Sequence, residues 1–279
     1  MGINIKNKIE KLKKITTELK IETLKMVYNV GRGHLGGSFS CADIVTSLYF
    51  EIMSIDPKNP KNENRDRFLL SKGHACPIVY TALAKLGYFD KKNLYNFTRI
   101  GNILQGHPSM DITPGIDMTS GSLGIGLSIA NGIGIAAKLS GKKFYTYILF
   151  GDGEIQEGQI WEAALTSSHY KLDNIIGFID YNGLQLCGEV NNICNLEPLE
   201  DKFKSFNWDV HKINGHNFKQ ILETVEESKK VLDKPHMIIC NTIKGKGVSF
   251  MENNIAWHAK APNKEETYKA ILELETEFF

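Results

Sequence analysis

Apolar positions along the first thirty residues recur at helical steps. Ile9, Leu12, Ile15, Leu19, Leu24 and Val27 lie three to five apart, which predicts one long amphipathic helix over residues 3–30. The helix runs into a glycine-rich segment, GRGHLGG, at 31–37. Ser40 to Met53, with a polar start and an apolar body, predicts a second helix, and Arg67 to Leu70 begins a short strand followed by SKGHACP at 71–77. The pattern then shortens. FYTYILF (144–150), NIIGFIDY (174–181) and HMIICNT (236–242) are brief apolar runs rich in β-branched and aromatic residues, with helical patterns at 154–170 and 217–232 between them. Strand, helix, strand at this spacing predicts βαβ units, and strands that are apolar almost throughout predict a sheet covered on both sides. The expected class is therefore α/β: a doubly wound parallel sheet with helices on both faces. There is no internal repeat and no low-complexity linker, and NNICNLEPLE (191–200) is the expected long loop. One domain over 1–279, with an N-terminal helical arm and a C-terminal helix, is the expected organisation.

Open parallel sheets bind ligands outside the carboxyl ends of their strands. The residues just after each apolar run are then the place to look: GDG after the first, N-G-L after the second, KGKG after the third. Gly151 and Gly153 permit a tight turn and close approach of backbone to a ligand, and amides at a helix start favour anions. Asp152 is itself an anion and would repel a bare phosphate. A hard cation between them resolves the conflict, because Mg2+ commonly takes one or two carboxylates plus phosphate oxygens. Asn182 offers a neutral oxygen at the end of the next run, and Leu184 a backbone carbonyl. A lone GDG is usually an ordinary turn; one apolar run ending in GDG and the next in N-G points to a metal–diphosphate site.

Composition narrows the field. The 279 residues are 42% hydrophobic and 23% charged, globular values, and the net charge of +1 leaves no domain-wide basic field for nucleic acid. Six lysines against two glutamates in residues 1–20, and five glutamates against two lysines in 264–279, read as solvated faces of terminal helices. The five cysteines, Cys41, Cys76, Cys187, Cys194 and Cys240, are scattered without a CxxC pair, which argues against a disulfide framework and a structural zinc site. No secretory signal is visible at the N-terminus and no run of about 18 apolar residues suggests a membrane span, so a reducing cytoplasm is the expected setting.

Four of the eight histidines sit in loop-like, mostly glycine-flanked contexts: His34 in GRGHLGG, His74 in SKGHA, His107 in LQGHPSM and His258 in AWHAKAP. Imidazole suits proton transfer near neutral pH, whereas no pair shows ligand spacing on a helix for a metal. His169, His211, His216 and His236 receive no catalytic role. In TSGSLGIGLSIANGIGI (119–135), Gly132, Gly134 and Ala137 match a dinucleotide fingerprint in form, but no strand precedes them and the apolar spacing is helical, so packing through small residues is the better reading.

GDG with an asparagine about thirty residues on resembles the thiamine diphosphate motif, and GDGEIQEGQIWEAALTSSHYKLDNIIGFIDYNGLQLCG resembles the transketolase family in particular. The resemblance runs from about residue 10 to 265. It implies that thiamine diphosphate is held through Mg2+, with Ca2+ or Mn2+ able to substitute, on Asp152, the Asn182 side chain and the Leu184 carbonyl. It implies that Gly153 contacts the diphosphate, that Gly121, Ser122 and Leu123 offer backbone to the thiamine rings, and that Glu157 helps link two cofactor sites across a subunit interface. By the same match, His34 and His107 face the sugar, His74 lies near the diphosphate, and His258 bridges diphosphate and substrate. Leu35 stands where the family often has proline, for which a local backbone change is expected. The implied activity is reversible two-carbon ketol transfer between a ketose and an aldose, usually as phosphates. The family's pyrimidine-binding domain has no counterpart in these residues. ETEFF (275–279) reads as the end of a terminal helix, so the expectation is a split enzyme: a partner chain carries the pyrimidine domain, in an α2β2 assembly. A fragment of a longer chain is the other explanation. Half of a deoxyxylulose-phosphate-synthase-like or 2-oxoacid-dehydrogenase-like enzyme, and a non-catalytic phosphate-binding module, are the alternatives in function.

Overall fold

The computed structural model describes residues 2–276, with side chains from residue 5 onward. A long helix α1 (Gly2–Val30) leads into α2 (Leu35–Ser40) and α3 (Ala42–Ser47), which ends in a π turn at Leu48–Ile52. Strand β1 (Arg67–Leu70) is followed by a 3-10 turn at Gly73–Ala75 and α4 (Cys76–Leu86). After an irregular stretch come α5 (Gly126–Leu139), β2 (Thr146–Gly151), α6 (Gly158–His169) and β3 (Ile175–Tyr181). A small antiparallel hairpin, β4 (Leu184–Gln185) and β5 (Gly188–Glu189), precedes α7 (Val190–Ile193) and α8 (Leu199–Ser205). The chain finishes with β6 (Asp209–Asn214), α9 (Phe218–Ser228), β7 (His236–Asn241) and α10 (Lys264–Thr276).

The five main strands form one parallel sheet in the order β1-β2-β3-β7-β6. Its strands are apolar on both sides because both sides are buried. Phe68, Leu70, Tyr147, Leu149, Ile176, Phe178, Ile238 and Cys240 point into one cluster with α1, α3, α4 and α9. Leu69, Ile148, Phe150, Ile175, Ile179, Met237 and Ile239 point into the other, with α5, α6 and α8. At about 1.5–3 kcal/mol for each fully buried large aliphatic or Phe side chain, these two layers dominate the stability of the fold. The C-terminal helix packs Ala270 and Leu274 on Leu24 and Val27 of α1, with Trp257 in the same cluster. The doubly wound α/β expectation is what the structure has; the last part of ETEFF, residues 277–279, lies outside the described residues.

Several elements differ from the sequence expectation. The predicted helix at 40–53 begins earlier and breaks at Cys41. The glycines at its start are helical, not loop, because of close packing: a Cβ on Gly36 would come 3.0 Å from the Trp257 carbonyl oxygen. The helix expected over 154–170 opens with a separate 3-10 turn at Gly153–Gln156, and Glu157 is extended before α6 starts. Half of the expected long loop at 191–200 is helical, in α7 and the start of α8, leaving 194–198 irregular. The long irregular segment is instead 97–125. It is braced by bonds such as Ser120 N–H to the Pro108 carbonyl (3.1 Å) and by Asp117 receiving the Arg65 guanidinium. Strand β6 escapes the apolar pattern because it is an edge strand, with Ile213 its one buried side chain.

Candidate active site

Strands β2, β3 and β7 lie side by side, so the turns at their carboxyl ends meet. Together with the segment after β1 and the chain around His258 they enclose a cavity of about 330 Å3. Of the residues singled out in the sequence, His74, Leu123, Asp152, Gly153, Glu157, Asn182, Leu184 and His258 line it. His34 adjoins it, its ring 5.4 Å from that of His74 and 5.5 Å from that of His258. His107 is exposed and packs beside Gly121, which with Ser122 forms the exposed start of the strip leading to Leu123. The turn packs closely on Gln185: a Cβ at Gly153 would lie 2.8 Å from Gln185 Oε1 and 3.0 Å from Gln185 Cβ.

Asp152 is 3% exposed and accepts the Gly153 and Gly183 N–H groups at 2.7 and 2.6 Å. Burial, and next the charge of Asp180, push its carboxyl up to about 6. Among the described residues it forms no ion pair. Asp180 does: it is fully buried, paired with Lys72, and takes Ser40 Oγ (2.5 Å) and Thr242 Oγ1 (2.5 Å) as donors. Burial is the largest single influence and works against both charges of that pair, but the partner's charge together with the hydrogen bonds and other nearby groups outweighs it, holding Asp180 low and Lys72 high. Asn182 donates its Nδ2 to Asp180 (3.1 Å), so the amide oxygen is turned the other way, where it accepts from Leu184 N–H (3.1 Å). The Leu184 carbonyl accepts from Lys244 Nζ at 2.9 Å. Burial, then the charge of Lys72, lower Lys244 to about 8.

Three imidazoles gather at the mouth. His74 and His258 stand 5.1 Å apart between ring centroids. Burial lowers all three: His34, with His107 and Lys244 adding to it; His74 well below its usual value, with Lys72 next; His258 to about 4, with Lys244 next. The three rings are thus neutral at neutral pH. His258 Nδ1 lies 3.0 Å from Lys244 Nζ and accepts from that ammonium, which leaves the ring proton on Nε2.

The donor set suits a hard cation and a diphosphate. Asp152 is a buried anion satisfied by backbone alone, beside the amide of Asn182 and the carbonyl of Leu184; all are oxygen donors, the preference of Mg2+. No group of three or more His, Cys, Asp or Glu able to hold a metal occurs among the described residues, so a cation here would need ligand oxygens and water to fill its shell. Gln185 Oε1, buried and without a partner among the described residues, faces the same turn. Lys244 and the Gly153 turn offer positive charge and backbone to an anion.

Sequence reasoning missed Lys72, Lys244, Asp180 and Glu154. Lys244 opens the KGKG segment that strand geometry had marked. Asp180 and Glu154 are carboxylates inside or beside apolar stretches, which was their signal. Glu154 is 3% exposed and accepts Ser71 Oγ (2.5 Å), Gly124 N–H (3.0 Å) and Gly151 N–H (3.2 Å), joining the ends of β1 and β2 to the 121–124 strip. His169 and His211 stay out of the cavity, as expected, and His236 is sealed at the opposite end of β7.

Residues 12–275 match the family model described as transketolase, thiamine diphosphate binding domain. The chain is 46% identical over 255 residues to a 6-deoxy-6-sulfo-D-fructose transketolase subunit of Clostridium sp. (strain MSTE9), covering 91% of this chain and 93% of that one. It is 40% identical to one of the subunits of the apulose-4-phosphate transketolase of Phocaeicola vulgatus, covering 90% and 89%. Among solved structures, transketolase from Campylobacter jejuni superposes with a TM-score of 0.89 at 32% identity, over 95% of this chain and 42% of that one. The chain thus matches the subunit-sized relatives along nearly their whole length and spans about two fifths of that transketolase.

Proposed function

This chain belongs to the transketolase family as a thiamine diphosphate-binding subunit, and we propose that it is the diphosphate-binding half of a two-chain enzyme that transfers a two-carbon ketol unit from a ketose to an aldose. The carrying observation is the meeting of Asp152 and Asn182 with three neutral imidazoles around one cavity at the strand ends. In this reading Asp152, Asn182 and the Leu184 carbonyl hold Mg2+, with Ca2+ or Mn2+ able to replace it. Gly153 and Lys244 contact the diphosphate, with His74 beside it, and Gly121, Ser122 and Leu123 lie along the thiamine rings. Bound there, thiamine diphosphate supplies the electron sink for carbon–carbon cleavage and formation. His34 and His107 hold sugar hydroxyls. His258, with its proton on Nε2, donates to a substrate hydroxyl or phosphate oxygen. Glu157, exposed at the rim, meets a second copy of the site.

The pyrimidine half of the cofactor falls to a partner chain, in an α2β2 assembly in the cytoplasm. Relatives of matching length that are themselves named as subunits support the partner chain. No helix among the described residues is long and apolar enough to cross a membrane. The sugars named for the two relatives, 6-deoxy-6-sulfo-D-fructose and apulose 4-phosphate, favour a less common sugar substrate over the common pentose phosphates.

Calorimetry of the chain with thiamine diphosphate and Mg2+ tests the site. Binding should depend on the metal and fall at least ~100-fold in Asp152→Ala, the upper end of what loss of a site-organising group costs. Unchanged affinity in that variant, or stabilisation by magnesium nucleotide and not by magnesium thiamine diphosphate, would overturn the assignment. Ketol transfer should be absent from the chain alone and appear on adding the partner; full activity without it would refute the two-chain reading.

A further inference from the structure

His216 was left without a role by its sequence context, yet it touches the loop that carries Lys244. Its Nδ1 lies 2.7 Å from Asp43 Oδ2 in α3. Its Nε2 accepts the backbone N–H of Ile243, the residue before Lys244, at 2.9 Å. A ring nitrogen that accepts from an amide carries no proton, so the proton is on Nδ1 and is donated to Asp43. The side chains of this pair are 14% and 10% exposed. The β6–α9 turn reaches β7 only because residue 215 has no side chain: a Cβ on Gly215 would lie 2.5 Å from Thr242 Cγ2 and 2.9 Å from Cys240 Cβ. Gly215-His216 is also a fourth Gly–His pair, after those at 34, 74 and 107, which is the signal the sequence did carry.

Beyond Ile243 the loop is held by other atoms. Gly245 N–H donates to the Gly36 carbonyl (3.0 Å), Asn253 N–H to the Lys244 carbonyl (2.9 Å), and Lys20 Nζ to the Lys246 carbonyl (3.0 Å). These fix the path after Lys244. The N–H of the residue that leads into Lys244 is held by the His216 side chain. From there the lysine reaches forward to the Leu184 carbonyl and His258 Nδ1.

We propose that His216 is a positioning residue for the anionic end of the cofactor: braced on Asp43, it orients the backbone entering Lys244 and so aims the Lys244 ammonium into the cavity. The ring lies behind the loop, in a separate cavity of about 300 Å3 with Asp43, Lys20 and Lys246, away from the residues assigned to metal or sugar. The inference rests on the site reading given above. It predicts that removing the bond weakens binding of a diphosphate without touching the ligand itself.

The test uses the full chain with three probes: magnesium thiamine diphosphate and magnesium pyrophosphate by calorimetry, and hydrogen exchange at residues 242–245. His216→Phe fills the space but offers neither donor nor acceptor; His216→Gln offers both. His216→Phe should bind both diphosphates about tenfold more weakly, in the range for loss of a group that orients a ligand-binding residue, and exchange faster at Ile243. His216→Gln should bind and exchange as the unaltered chain does. If the Phe variant does not fold, His216→Ala replaces it in the same comparison. Equal weakening in the Gln and Phe variants would reduce His216 to a packing role and overturn the proposal. So would faster exchange at Ile243 with unchanged affinity for both diphosphates. Failure of the unaltered chain, with its partner present, to bind either diphosphate would instead remove the site reading, and this inference with it.

Discussion

Both ends of the parallel sheet bury ionisable groups, and they use them differently. At the amino end, Asp66 is 6% exposed and accepts the Ser54 and Tyr145 N–H groups, each at 2.8 Å. Asp209, the first residue of β6, takes His236 Nδ1 and His211 Nε2, both at 3.0 Å, and stands directly across the register from His236 at the start of β7. These carboxylates are taken up by nearby backbone amides and imidazoles. At the carboxyl end Asp180 does the same with Lys72, Ser40 and Thr242. Asp152, one strand over, is left with two backbone amides and a face on the cavity. Burial of charge is therefore common to both ends. What singles out a site is a buried charge whose remaining bonding capacity points into space shared with other polar groups.

Three measurements sharpen or break that contrast. The largest effect belongs to Asp180→Ala. It leaves Lys72 charged and unpaired at 2% side-chain exposure, and should cost about 3–5 kcal/mol in denaturant unfolding. A double variant that also replaces Lys72 with Met should recover much of the loss; no recovery would mean that Asp180 acts through something other than the pair. Asp209→Ala should cost less, about 1–3 kcal/mol for the bonds lost by His236 and His211, with affinity for magnesium thiamine diphosphate unchanged. A drop in that affinity would erase the distinction between the ends.

The smallest effect is a pH slope. His258 titrates near 6.5 when unfolded and about 4 in the fold. As pH falls below 6.5, the unfolded chain binds a proton that the folded ring refuses, so this group's contribution to stability declines down to about pH 4 and is level below it. Without cofactor, the midpoint of thermal unfolding should therefore fall less steeply between about pH 7 and 4.5 in His258→Asn than in the unaltered chain. Identical slopes would show that His258 is not held neutral by burial and Lys244.

Much of the site could be read in advance because its parts are local. GDG directly follows one apolar run and Asn182 the next, and a parallel sheet brings such ends together. His74 and His258 were marked by motif and line the same cavity. What escaped depended on partners far along the chain. Lys72 and Asp180 are 108 residues apart, and Asp43 and His216 are 173 apart. Nothing in the neighbourhood of either member announces the other. Asp180 hid inside NIIGFIDY because a single carboxylate does not disturb an apolar run, and β6 hid because an edge strand needs few apolar residues.

By itself the sequence determined four of the sheet's five strands, their double burial, and the turn chemistry at their ends, because hydrophobic period and glycine geometry act over a few residues. The tertiary structure decided which charges neutralise one another and which remain for a ligand. That depends on strand order and on helix contacts spanning the whole chain. Asp152 and Asp180 are chemically the same side chain at the ends of adjacent strands; only the placement of Lys72 beside one of them, and the cavity beside the other, separates a structural ion pair from a candidate metal ligand.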